Sequence, residues 1–191
     1  MKLLFRYLGY MFLHANLPHL LPNIGIQILL SFFAVQYKSS QLQMGNGSNT
    51  MLMMQAHLRV LFVYFSAILI SSIGYYLRNP EGTLIGCSAG VFGLAGICLI
   101  DAFNEAIIYL KEVKTASRTS YEIIMMIVRF FIPLLLVFVD ILFDEDDESK
   151  IVHLIGLISG SVLGIVWKMF ECCLTKFREN VFPTTNFELL H

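Results

Sequence analysis

Apolar runs long enough to cross a bilayer recur along this chain, separated by short polar stretches. About 20 consecutive apolar residues span the hydrocarbon core as a helix. Five segments fit: 17–35, 58–77, 86–101, 123–143 and 151–170. The first has room to begin earlier, near Phe5, and the third continues helically through residues 106–110. Residues 41–50 and 111–120 read as polar loops on one side of the bundle, 78–83 and 144–150 as short loops on the other. No low-complexity tract, second domain or internal repeat is evident. The pattern predicts an all-α polytopic membrane protein.

Composition agrees. The 191 residues are 57% apolar and 14% charged, with mean hydropathy +0.70, whereas a soluble domain carries roughly 25% charged residues. A net charge of −1 argues against a nucleic-acid partner. Four cysteines, two within an apolar segment and two just after one, do not form a disulfide scaffold. Residues 1–13 lack the basic region, clean apolar run and cleavage site of a signal peptide.

Lys and Arg orient the spans. One side holds Lys2, Arg6, Arg78 and Lys150. The other holds Lys38, Arg59, Lys111, Lys114, Arg118, Arg129, Lys168, Lys176 and Arg178, and is expected in the cytoplasm. The acidic run 144–148 carries little weight, because carboxylates contribute weakly to topology.

The first, third and fifth segments then run in the same direction. His19 and Asn23 near the start of the first, Ser88 third in the third, and His153 third in the fifth fall at one depth, just below the non-cytoplasmic surface. Ionisable side chains inside a membrane mark functional sites by default. Ser88 is the candidate nucleophile, weak until a base takes its proton. His153 is the candidate base, returning that proton to a leaving amine. His19 and Asn23, four apart on one helix face, are candidate oxyanion donors alongside backbone N–H groups at the third segment's start.

Small residues would let the helices approach. Gly86, Gly90 and Gly93 recur on the third segment, and Gly156, Gly160 and Gly164 make a GxxxGxxxG stripe on the fifth, with His153 on its side. No carboxylate is placed to orient His153, so a dyad is expected rather than a triad. Asp101 and Glu105, nearer the cytoplasm, are expected to pair with loop cations; His57, His191 and Asp140 read as interfacial. No cofactor or metal is expected.

Each piece alone has a plainer reading. A glycine-framed serine in a membrane helix is more often a packing contact, and GxxxG is an association motif without chemistry. A membrane histidine often makes an interhelical hydrogen bond. His19 and Asn23 lie beside Pro18 and Pro22, whose freed carbonyls need donors. The coincidence of four at one depth favours a site.

The blocks also resemble a known family. The stretch HANLPHLLPN, from His14 through His19 to Asn23, matches the HxxxxHxxxN pattern of rhomboid intramembrane serine proteases. GCSAGVFG, from Gly86 through Ser88 to Gly93, resembles their GxSG helix start, and His153-Leu154-Ile155-Gly156 with Gly160 their HxxGxxxG helix. Blocks fall in family order across residues 1–170. The turn Leu77-Arg78-Asn79-Pro80 and the HLLPN wording look closest to the animal secretase-type branch.

The resemblance implies a six-helix core whose Ser-His dyad cleaves single-pass transmembrane proteins near their luminal end. Ser88 would be the nucleophile, His153 the base, His19 and Asn23 oxyanion donors, and His14 a structural histidine beside the site. It further implies a multi-pass protein of the secretory pathway or plasma membrane, its site facing away from the cytoplasm, with the bilayer and transmembrane substrates as partners. Only five of the six core helices are expected here, with 171–191 a cytoplasmic tail. The family's first helix and its loop with a Trp-Arg motif would precede Met1. The 191 residues are therefore expected to be a truncated chain, poorly stable or misoriented and essentially inactive if expressed alone.

Departures from the family pattern bear on activity. Ala89 replaces the glycine after the nucleophile, adding a methyl at a crowded helix start. Phe92 stands where a tyrosine often packs on the base, and Val152, where a small residue is usual, is expected to hinder close helix approach. These substitutions suit an alternative reading, a catalytically inactive rhomboid-like binder that traffics membrane clients. That reading leaves the retention of Ser88, His153, His19 and Asn23 unexplained. A transporter would show repeat symmetry and paired broken helices, and neither is visible.

Overall fold

A computed structural model of the chain describes residues 7–13, 17–42, 49–112, 120–143 and 147–181. Five long helices form its body: α1 (Leu17–Leu42), α2 (Asn49–Arg78), α3 (Ser88–Glu112), α4 (Ser120–Phe143) and α5 (Asp147–Val181). A 3-10 turn at Gly9–Phe12 precedes them. The described residues contain no strand. Helices α2 to α5 each carry a stretch long and apolar enough to cross a membrane, and the corresponding stretch of α1, Leu20–Gln36, is shorter. Four of the five expected spans are thus found among the described residues, and α1 itself runs 26 residues.

The helices extend past their apolar runs, α2 and α5 most clearly. α2 begins nine residues before its expected span at residue 58, and α5 runs from Asp147 to Val181 rather than 151–170. Hydropathy falls at these ends while backbone hydrogen bonding continues. Asp147 and Glu148 occupy the first turn of α5, where carboxylates complement the positive end of the helix dipole. His153 is therefore the seventh residue of its helix, one turn deeper than expected. Ser88 is the first residue of α3, not the third of a segment starting at Gly86.

Burial is inverted relative to a soluble fold. Arg59, Ser71, Ser72, Asp101, Glu105 and Arg129 are buried, whereas Phe131, Leu134, Leu135, Phe138 and Ile141 of α4 face outward. Charges inside and large apolar side chains outside are what a lipid solvent favours. The inner charges are paired: Arg59 donates to both Asp101 oxygens at 2.9 and 2.7 Å, Lys168 lies 3.4 Å from Asp101, and Arg129 donates to Glu105 at 2.9 Å. The expected pairing with loop cations is corrected here. Arg59, Arg129 and Lys168 sit on α2, α4 and α5, because a buried carboxylate is offset only by a partner at its own depth.

Helix α3 packs against each of the other four, most extensively against α5. The glycine stripe of α5 explains that closeness. A methyl at Gly156 would strike the Ala89 carbonyl, one at Gly160 the Gly93 carbonyl, and one at Gly164 would crowd Ile97. The facing row on α3 is thus Ala89, Gly93 and Ile97, with Gly96 under Leu157 and Ser161. This corrects the expected pairing of Gly90 with α5. Gly90 instead accommodates Tyr64 and Ile68 of α2. Val152 is buried in the same core and does not hold the helices apart.

Candidate active site

Three elements bring Ser88 to the start of α3. Gly86 has φ of 102°, a left-handed backbone that L side chains rarely adopt, so glycine is required for this turn. Its N–H donates to the Tyr10 carbonyl at 3.3 Å, and the Tyr10 hydroxyl donates to the Ile68 carbonyl on α2 at 3.1 Å. The 3-10 turn thereby ties the segment before Ser88 to α2. Burial, reinforced by Tyr76 and Cys87, holds the Tyr10 phenol above its ordinary range, so it stays a neutral donor. The Cys87 carbonyl accepts from Gly90 and Val91, which starts the helix.

The glycine-lined contact between α3 and α5 then brings the pair together. Ser88 Oγ lies 2.7 Å from His153 Nε2, and both residues are over nine-tenths buried. Phe92, one turn after Ser88, stacks on the imidazole with centroids 4.4 Å apart and planes 6° from parallel. On the far side, His153 Nδ1 lies 2.6 Å from Asp140 Oδ1. A carboxylate accepts and does not donate, so Nδ1 carries the hydrogen. That tautomer leaves the Nε2 lone pair to accept from the Ser88 hydroxyl. The hydroxyl of Ser149, one turn earlier on α5, lies 3.5 Å from the same Nε2.

A carboxylate does lie against His153, which corrects the expectation that none is placed there and the interfacial reading of Asp140. Asp140 lies near the end of α4, at the depth of Ser88, and its side chain is only 13% exposed. The sequence carried one usable signal. Arg129 and Asp140 are 11 residues apart, about three turns, and so share one face of α4. In a helix otherwise apolar, the face bearing charges is the one turned inward.

Ser88 and His153 border a cavity of about 270 Å³. Tyr10, Tyr75, Thr83, Leu84, Ile85, Gly86, Glu148, Ser149 and Val152 complete its lining. Glu148 accepts from the Tyr75 hydroxyl at 3.2 Å and from the Asn79 amide, so the α2 terminus and the first turn of α5 close one wall. No described residue of α1 lines this cavity. Asn23 is half-buried on α1, and His19 lies on the same helix, its side chain outside the described residues. His14 and His191 also fall outside them. His57 is exposed and donates through Nδ1 to the Met53 carbonyl at 2.7 Å.

The arrangement can activate a hydroxyl. Ser88 Oγ–H points at a base whose other nitrogen is held, and with Gly90 and Val91 donating to the Cys87 carbonyl, the N–H groups of Ser88 and Ala89 are the ones a helix start leaves without an internal partner. Such N–H groups are suited to a developing oxyanion beside Ser88.

Comparison with known proteins gives the lineage. The family model described as Rhomboid domain matches residues 2–170. Rhomboid-related protein 2 of Mus musculus is 25% identical over 178 residues, covering 87% of this chain and 48% of that protein. Rhomboid-related protein 1 of Caenorhabditis elegans is 25% identical over 171 residues, covering 84% of this chain and 39% of that protein. The chain thus spans less than half the length of these curated relatives. No solved structure matches. With the family model covering both Ser88 and His153 and four described helices able to cross a bilayer, this chain belongs to the rhomboid family of multi-pass membrane proteins.

Proposed function

We propose that this protein is an intramembrane serine endopeptidase that cleaves single-pass transmembrane proteins near their non-cytoplasmic end. The observation that carries this reading is the 2.7 Å contact between Ser88 Oγ and His153 Nε2 at the edge of a cavity. Family membership alone would not supply it.

In this mechanism His153 takes the Ser88 proton as Oγ attacks the scissile carbonyl. The carbonyl electrons move to oxygen, giving a tetrahedral oxyanion. The N–H groups at the start of α3 stabilise it, and His19 and Asn23 on α1 are the proposed additional donors. Collapse breaks the C–N bond, and His153 passes the proton to the departing amine. Water, activated by the same imidazole, then hydrolyses the acyl-enzyme. Phe92 limits the rotation of the base by stacking on it.

The test is cleavage of a single-pass reporter by the full native protein in reconstituted bilayers, with the product termini mapped by mass spectrometry. The expected cut lies in the outer third of the reporter's span. Stable capture of the reporter with no cut would overturn the peptidase reading in favour of a binder of membrane clients.

A further inference from the structure

We propose that Asp140 is a positioning residue that holds His153 in its reactive tautomer and stabilises the imidazolium formed during attack, supporting the Ser88–His153 pair from behind. This rests on the peptidase reading of Ser88 and His153.

Geometry carries the inference. The Asp140 carboxylate accepts from Nδ1 at 2.6 Å, as close as a charge-assisted contact comes, with both side chains close to nine-tenths buried. His153 therefore has a defined partner on each ring nitrogen: Asp140 of α4 at Nδ1 and Ser88 of α3 at Nε2. Among the described residues, other polar groups near it are Ser149 on its own helix and, around the cavity, Tyr10, Tyr75, Thr83 and Glu148. Glu148 is engaged by Tyr75 and Asn79, and among the described residues Asp140 is the carboxylate in hydrogen-bond contact with the base.

The α4–α5 seam makes the contact informative. α4 packs mainly on α3 and has little other contact with α5. The hydrogen bond is therefore not a by-product of tight helix packing at this level. A carboxylate in an apolar setting is costly unless it is paired, and the pairing here falls on the base.

The proton balance is simple. The Ser88 proton moves to Nε2, the Nδ1 proton stays with His153, and Asp140 remains a carboxylate throughout. Its role is to lower the cost of the positive charge on the ring and to prevent a flip that would present Nδ1 to the serine.

Asp140→Asn tests this in the full native protein. Asparagine keeps the shape but can present its NH₂ to Nδ1, favouring the tautomer with the hydrogen on Nε2. Loss of kcat by at least about 100-fold is expected, with KM changed less than about threefold, because the interaction matters in the transition state. Asp140→Glu should recover part of kcat, while Asp140→Ala should resemble asparagine. A kcat within threefold of the parent in Asp140→Asn would overturn the proposal. So would a loss confined to the folded fraction, with normal kcat per folded molecule. Ser88→Ala is run in parallel: undiminished cleavage there would instead overturn the underlying peptidase reading.

Discussion

Replacing Ser88 or His153 with alanine is expected to lower kcat/KM for a transmembrane reporter by roughly 10⁴-fold or more, the scale seen when one member of a nucleophile–base unit is removed. Ser88 supplies the oxygen that becomes covalently bonded, and His153 carries the proton both ways. Ser149 is a poor substitute nucleophile. Its Oγ is 3.5 Å from Nε2 on the same helix as the base, and it lacks Ser88's place at the start of α3. The double variant should be little worse than either single one, since the two groups act as a unit. Melting in detergent should barely change in Ser88→Ala, which leaves the glycine-lined contact between α3 and α5 intact, whereas His153→Ala removes the partner of the buried Asp140 carboxylate and should melt lower. Kinetics of the three variants, expressed per folded molecule, provide the check. Residual kcat/KM within tenfold of the parent in either single variant would refute the pair.

The second large effect concerns stability. Asp101→Ala should lower the unfolding free energy by about 3–5 kcal/mol, the usual cost of removing one partner from a buried ion pair. Asp101 binds Arg59 through two hydrogen bonds and also faces Lys168, and Arg59 is 1% exposed. Without the shared carboxylate, two cations on α2 and α5 repel within the bundle. At roughly 2–4 °C per kcal/mol for a chain of this size, the melting midpoint should fall by about 10 °C. Asp101 is 13 residues from Ser88 along α3, about 20 Å, so kcat of the protein still folded should hold. A midpoint within 2 °C of the parent would show that the pairing contributes little.

Much of this molecule is legible in its amino-acid sequence. Apolar runs locate the helices because lipid forces backbone polar groups to pair within each segment. The convergence of Ser88 and His153 follows from depth and from the α5 glycine stripe, since only small residues permit the contact of Gly160 with the Gly93 backbone. Legibility ends where the signal is rotational. Gly90 and Gly93 sit on a spacing suited to one partner helix, yet a methyl on either would strike α2, at Tyr64 and at Ala67, rather than the α5 stripe. Asp140 looks interfacial in a linear reading because it ends an apolar run; its direction depends on the helical phase it shares with Arg129. Helix ends mislead for a related reason. Asp147 to Lys150 are polar, but they form a regular first turn that sets His153 deeper than hydropathy suggests.

The central claim is that Ser88 is a nucleophile activated by His153. Its most direct measurement is covalent labelling of the full native protein with a fluorophosphonate, with the adduct mapped by mass spectrometry. The label should fall on Ser88, vanish in Ser88→Ala, and form far more slowly in His153→Ala. An intact, folded protein that takes no label, or takes it on another residue at an unchanged rate in Ser88→Ala, would contradict the account.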